Sequence, residues 1–225
     1  MSDTPRTSSR REFLVQAAAA TGLAAVPHAF PASLWAAEAA AKPGVGKLRL
    51  GSCTIGLEDG KKAGLEGVEV SVGSAADRLQ IADPAQREQY KQQMKATGLV
   101  IPSFMMGLLN SYPLASDPRA PAWLEQSIDA AKDLGAKVVL VAFFGKGSLL
   151  DGKEVKKADV DVVVDRLKAA APRAKQAGVI LGIENTLSAQ QNVEILERIG
   201  HDSVQIYYDV GNTTPTLNKA TAGGH

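Results

Sequence analysis

Short apolar runs recur along this chain at the pitch of one strand plus one helix. Residues 68–72, 99–104, 138–144, 179–183 and 204–208 are the runs, and a first strand opens over 47–51 and ends near 53–54. Taking Val68, Val100, Val138, Val179 and Val204 as starts, the separations are 32, 38, 41 and 25 residues. That spacing is the pitch of repeated β/α units. Between the runs, apolar residues fall at helical spacing. Leu124, Ile128, Ala131 and Leu134 mark a helix over 117–133, and Val160, Val163, Val164, Leu167 and Ala171 mark another over 159–176. Pro84 and Gly98 bracket a third over 84–96, and 190–199 is a fourth. Pro172 inside the longest helix predicts a kink or a break.

The run 138–144 is unbroken, as expected of a strand buried on both faces. The residues between the first two strands number only about ten, barely enough for a crossover helix, so the first unit is read as shortened. Repeated β/α units build either an open doubly wound sheet or a closed (β/α)8 barrel. No strand is followed by G-x-G-x-x-G and no P-loop sequence is present, which favours the barrel type. Six strands precede the polar tail 215–225, so the expected fold is an incomplete TIM barrel of about six β/α units over 42–214. A six-stranded open sheet is the alternative.

The first 41 residues read as an address. Arg10-Arg11 precede Phe13-Leu14 and the alanine-rich apolar run 15–26, with small residues near 37–41. A charged region, an apolar region and small residues describe an export signal, and paired arginines before Phe-Leu resemble the twin-arginine type. The apolar run is shorter than the roughly 20 residues a membrane span needs, so no stable span is expected once the signal is removed. The predicted location is periplasmic or otherwise exported. A net charge of +1 and 5% aromatic residues argue against a nucleic-acid footprint. One cysteine, Cys53, excludes an internal disulfide framework and reads as a partly buried small side chain.

The candidate chemistry lies in 178–213. Two strand-like runs end there in carboxylates, Glu184 and Asp209, 25 residues apart and separated by one helix. A strand, helix, strand unit makes parallel neighbours, so both carboxylates are expected at one sheet edge, where two oxygen ligands could begin a divalent metal site. The competing reading is that each caps the next helix, although neither is placed like a simple cap. Lys146, in the glycine-rich loop after the fourth strand (138–144), is either a contact for an anionic or polyhydroxy ligand or a solvated loop lysine. Glu69 faces either the barrel interior or a helix, with no catalytic role assigned. His201 precedes the sixth strand and is expected at the opposite end of the sheet from the carboxylates.

Gly182-Ile183-Glu184-Asn185 and Tyr208-Asp209-Val210-Gly211-Asn212 resemble the xylose-isomerase-like TIM barrels, and more narrowly the exported sugar phosphate isomerase/epimerase group. Gly67-Val68-Glu69-Val70-Ser71 and Ala136-Lys137-Val138-Val139-Leu140 support the resemblance, which covers 47–214. It implies a small-molecule sugar substrate and one divalent ion (manganese, magnesium, cobalt or zinc). Its ligands would be carboxylates on strands five and six, a histidine on strand seven and a glutamate on strand eight. Glu184 and Asp209 match the first two, and Glu184 would also be the catalytic base that moves a proton beside a carbonyl. Asn212, where several members place a histidine, Asn185 and Lys146 are the substrate-contact candidates. The related apurinic endonucleases need a histidine at the position of Asn212, which argues against a nuclease. The last two ligands have no counterpart before residue 225, so the expected activity of this chain is weak or absent. A non-catalytic exported sugar-binding or vestigial barrel domain is the alternative function.

Overall fold

Parallel β/α units follow one another through the computed structural model, which describes residues 49–53 and 55–213. The expected signal, 1–41, and the tail, 215–225, lie outside the described residues, as do His28 and His225. In chain order the elements are β1 (Gly51–Ser52), α1 (Leu57–Lys62), β2 (Gly67–Val68), β3 (Val70–Ser71), α2 (Pro84–Thr97), β4 (Ser103–Met105), α3 (Ala120–Leu134) and β5 (Val138–Ala142). They continue with β6 (Leu150–Asp151), β7 (Glu154–Val155), α4 (Lys157–Ala177), β8 (Ile180–Glu184), α5 (Ala189–Ile199), β9 (Val204–Ile206) and α6 (Val210–Thr213).

The strands run parallel in the order β3-β4-β5-β8-β9, with β1 beside β2 and Gly67 of β2 bridged to Val100. The segments β2 and β3 are one barrel strand interrupted at Glu69, so the described arc has six parallel strands in sequence order. This is the incomplete (β/α)8 TIM-barrel type. The shortened first unit is real: its crossover helix α1 has only six residues.

Local chemistry sets the element ends. Asp83 caps α2 through Ala85 N at 3.0 Å, with Pro84 in the first turn. Gly135 and Gly178 adopt φ of 75° and 68° where α3 and α4 stop, a left-handed turn that a side chain would disfavour. Helix α3 begins at Ala120, three residues later than expected, because Asp117 bonds Arg119 N in its own turn at 2.9 Å. Helix α4 runs unbroken through Pro172, contrary to expectation. That residue is exposed, so water can satisfy the carbonyl whose helical donor proline lacks. The β6–β7 hairpin, joined by Gly152-Lys153, was not expected; its Asp-Gly step at 151–152 is the signal for it.

Alternation along the strands separates two layers. Val139 and Val141 on β5, Phe143 just after it, and Leu181 and Ile183 on β8 pack with Leu124, Ile128, Val163 and Leu167 of the helices in one core. By register the intervening residues, Leu140 and Ala142, Gly182 and Glu184, face the barrel interior with Ser103 and Met105 of β4. The outer layer is what holds the rim in place. The arc curls far enough for Tyr207, past β9, to reach Glu69 in the second barrel strand, with 3.5 Å between Tyr207 OH and Glu69 Oε2.

Candidate functional site

Glu184 is the last residue of β8 and Asp209 follows β9 by three residues, so both leave the carboxyl ends of adjacent parallel strands. Asn212 joins them. Its Nδ2 donates to Glu184 Oε1 at 2.9 Å and to Asp209 Oδ2 at 2.8 Å. The two carboxylates therefore meet within the reach of one amide nitrogen, on one rim. Asp209 also caps α6: its Oδ1 accepts from Gly211 N at 2.6 Å. The expectation that neither carboxylate acts as a cap fails for Asp209, because a single helical turn starts immediately after it. Capping uses one oxygen and leaves the other for the site.

Burial pushes the Glu184 carboxyl up to about 7, and the Asp209 charge, a hydrogen bond with Asp209 and the Glu69 charge push the same way. The Asn212 amide opposes them by stabilising the ionised form. At neutral pH this group can either give or take a proton.

The remaining candidates are placed differently. Asn185 is buried: its Nδ2 donates to Asn192 Oδ1 at 2.8 Å and its Oδ1 accepts from Leu187 N at 2.9 Å. These bonds brace the turn into α5, whose start Ser188 and Gln191 secure as a reciprocal cap. Asn185 still borders a cleft of about 930 Å³ together with Leu187, Tyr207, Asp209 and Asn212. Lys146 is exposed on the turn Gly145–Gly147 after β5, with no bond to either carboxylate. His201 lies before β9, at the opposite end of that strand from Asp209, and its Nδ1 accepts from Ser203 N at 3.1 Å. Cys53 is exposed rather than partly buried, since it follows the edge strand β1.

Sequence reasoning assigned no role to a second inward group. Glu69 Oε2 accepts from Ser103 Oγ at 2.6 Å, besides its contact with Tyr207. Tyr207 lies against Gly182, where an added Cβ would come within 3.1 Å of the ring. Burial, and then the charges of Glu69 and Glu184, push the Tyr207 phenol up. The signal in the sequence was the alternation Val68-Glu69-Val70. Both valines are buried in the outer core, so the glutamate between them must point inward.

Two carboxylates converging on one donor offer the oxygen chemistry that a hard divalent cation takes. Among the described residues no group of three His, Cys, Asp or Glu side chains is placed to hold a metal. The pair thus fits part of a ligand set. No described helix is long and apolar enough to cross a membrane.

No curated protein matches the chain. A xylose isomerase domain protein from Planctomyces limnophilus superposes with a TM-score of 0.61 at 14% identity, over 73% of this chain and 64% of that one. A xylose isomerase-like TIM barrel protein from Mycobacterium smegmatis, solved in complex with magnesium, gives 0.56 at 19% identity, over 74% and 60%. The 3-keto-D-glucoside 4-epimerase YcjR from E. coli gives 0.54 at 16% identity, over 67% and 60%. The matched part is therefore about six tenths of the length of these solved structures. Residues 57–221 match the family described as xylose isomerase-like TIM barrel, and the chain belongs to that family.

Proposed function

We propose that this chain carries the proton-transfer half of a metal-assisted sugar or keto-sugar isomerase or epimerase site. The observation that carries the reading is the meeting of Glu184 and Asp209 across the Asn212 amide. The 3-keto-D-glucoside 4-epimerase among the similar structures supports a sugar bearing a carbonyl as the substrate class.

Glu184 is the base. Its carboxylate takes the proton from the carbon beside the carbonyl and later returns one, a role suited to a group poised near neutrality. Asp209 is fixed by Gly211 N, and Asn212 orients both carboxylates and offers its amide to a sugar hydroxyl. A divalent ion held by Glu184 and Asp209 would polarise the carbonyl and stabilise the enediolate charge. Asn185 and Lys146 are proposed as outer contacts to the sugar, through the cleft wall and the loop after β5. The expected result is that Glu184→Gln lowers sugar turnover about 10²–10⁴-fold with an unchanged fold. A variant with wild-type turnover would remove Glu184 from the chemistry.

One observation favours a second reading, a non-catalytic sugar-binding barrel: the described residues supply two ligands and no third. Calorimetry separates the two. Sugar binding that is indifferent to divalent ions, with no turnover, supports the second. We further propose export by the twin-arginine route, supported by Arg10-Arg11 ahead of the apolar run. Fractionation should find the protein outside the cytoplasm, and replacing both arginines with lysine should retain it inside; unchanged export of that variant would refute the route.

A further inference from the structure

We propose that the recess between α1, α2 and the ends of β1 and β3 is a second carbohydrate site, one that takes an uncharged sugar. It is separate from the cleft at Asp209 and Asn212, and its existence does not depend on the proton-transfer reading.

The recess follows from the shortened first unit. Helix α1 has six residues where α2 has fourteen, roughly 9 Å of helix against 21 Å. Gly60 seats α1 tightly: an added Cβ would meet Val68 Cγ2 at 2.9 Å and Leu99 Cδ1 at 3.2 Å. A helix this short and this closely seated leaves part of α2 uncovered. The space beside it is about 560 Å³, within the roughly 300–1,000 Å³ of small-molecule sites. None of its lining residues borders the cleft at Asp209.

Its chemistry is that of hydroxyl recognition. Gln86, Tyr90 and Gln93 stand at i, i+4 and i+7, so one face of α2 presents two amides and a phenol. Among the described residues neither side-chain amide makes a hydrogen bond, and burial pushes the Tyr90 phenol up with no bonded partner to oppose it. The other walls bring the Glu58 and Glu69 carboxylates and the Ser71 hydroxyl, while Asp59 is already paired with Lys62 at 3.0 Å. A sugar hydroxyl both donates and accepts, so it can use amide, phenol and carboxylate together. The Tyr90 ring adds apolar surface for the C–H face of a sugar. No Lys, Arg or His lines the recess, and its carboxylates repel an anion. An ammonium ion would use the acceptors only and leave the amide and phenol hydrogens unmet. An uncharged polyol satisfies both sets.

The test is an NMR titration of the full chain, isotope-labelled in its glutamine side chains, with D-glucose, D-fructose and methyl β-D-glucopyranoside as separate probes. The Gln86 and Gln93 amide signals should move saturably with at least one of them. Gln126, already bonded to Leu79 N at 2.7 Å and to Asp77 O at 3.0 Å, should stay in place. Tyr90→Phe and Gln86→Ala should each weaken binding about three- to tenfold, the loss of one hydrogen bond. Should Gln86→Ala fail to fold, Gln93→Ala, at an exposed position on the same face, must weaken binding likewise. No saturable movement with any of the three sugars overturns the site, as does wild-type affinity in the folded variants. Tighter binding of D-glucose 6-phosphate, or of D-glucosamine in its ammonium form, than of D-glucose overturns the uncharged class. Glu184→Gln should leave the titration unchanged; loss of the shifts in that variant places the sugar in the cleft and overturns a separate site. Absent sugar turnover with the amide shifts intact defeats the proton-transfer reading alone and supports this site.

Discussion

Two inward carboxylates of this barrel sit in opposite surroundings. Glu184, at the rim between strands five and six, faces another acid, and the Asn212 amide is its one opposing partner. Glu69, on the wall in the second barrel strand, accepts hydrogen bonds from Ser103 and Tyr207. Burial and then repulsion raise the first group to about 7, while the second is held in place by donors. The difference teaches that side-chain identity does not assign a role here. The same carboxyl group is buried beside another acid in one place and held by converging hydroxyls in the other.

Tyr207 connects the two settings, and removing its seat is the strongest way to break the comparison. Its ring packs on Gly182, where an added Cβ would lie 3.1 Å and 3.2 Å from ring and Cβ atoms of Tyr207 and 3.3 Å from Val138 Cγ1. Gly182→Val adds three carbons to that space. The expected cost is about 1–3 kcal/mol of stability, with a fall of several degrees in Tm and loss of the Tyr207 contact to Glu69. An unchanged melting temperature would mean that the ring does not rest there.

The sequence carried the β/α pitch, because strand and helix lengths are set by local pattern and by helix-ending residues such as Gly135 and Gly178. It also carried the Glu184–Asp209 pair, since each stands at the end of an apolar run. Glu69 was only half visible. Whether a strand residue faces in or out depends on register with neighbours distant in sequence, and here on a contact with Tyr207, 138 positions away. Pro172 was misread because a proline is judged by the bond it removes, and its effect depends on whether water reaches the orphaned carbonyl. The capping reading of Asp209 gains no support from the sequence because α6 is a single turn, too short for any periodicity.

A smaller effect sharpens the contrast through pH. The folded value of Glu184, about 7, lies above its ordinary 4.5, so the folded state holds the proton more tightly than the unfolded chain does. The stability this contributes is fully present below about pH 4.5 and is lost as pH rises through 7. Glu184→Gln stays neutral throughout and escapes that loss. Wild type and variant should therefore melt together at pH 4, and the variant should be the more stable at pH 8. The difference is about 1 kcal/mol once partial solvent exposure of the group is allowed for. Glu69→Gln should bring no such gain at pH 8, because it weakens acceptance from Ser103 and Tyr207 in the state where those bonds are made. If thermal melts gave the two variants the same pH profile, burial and crowding by Asp209 would not be what distinguishes the rim from the wall.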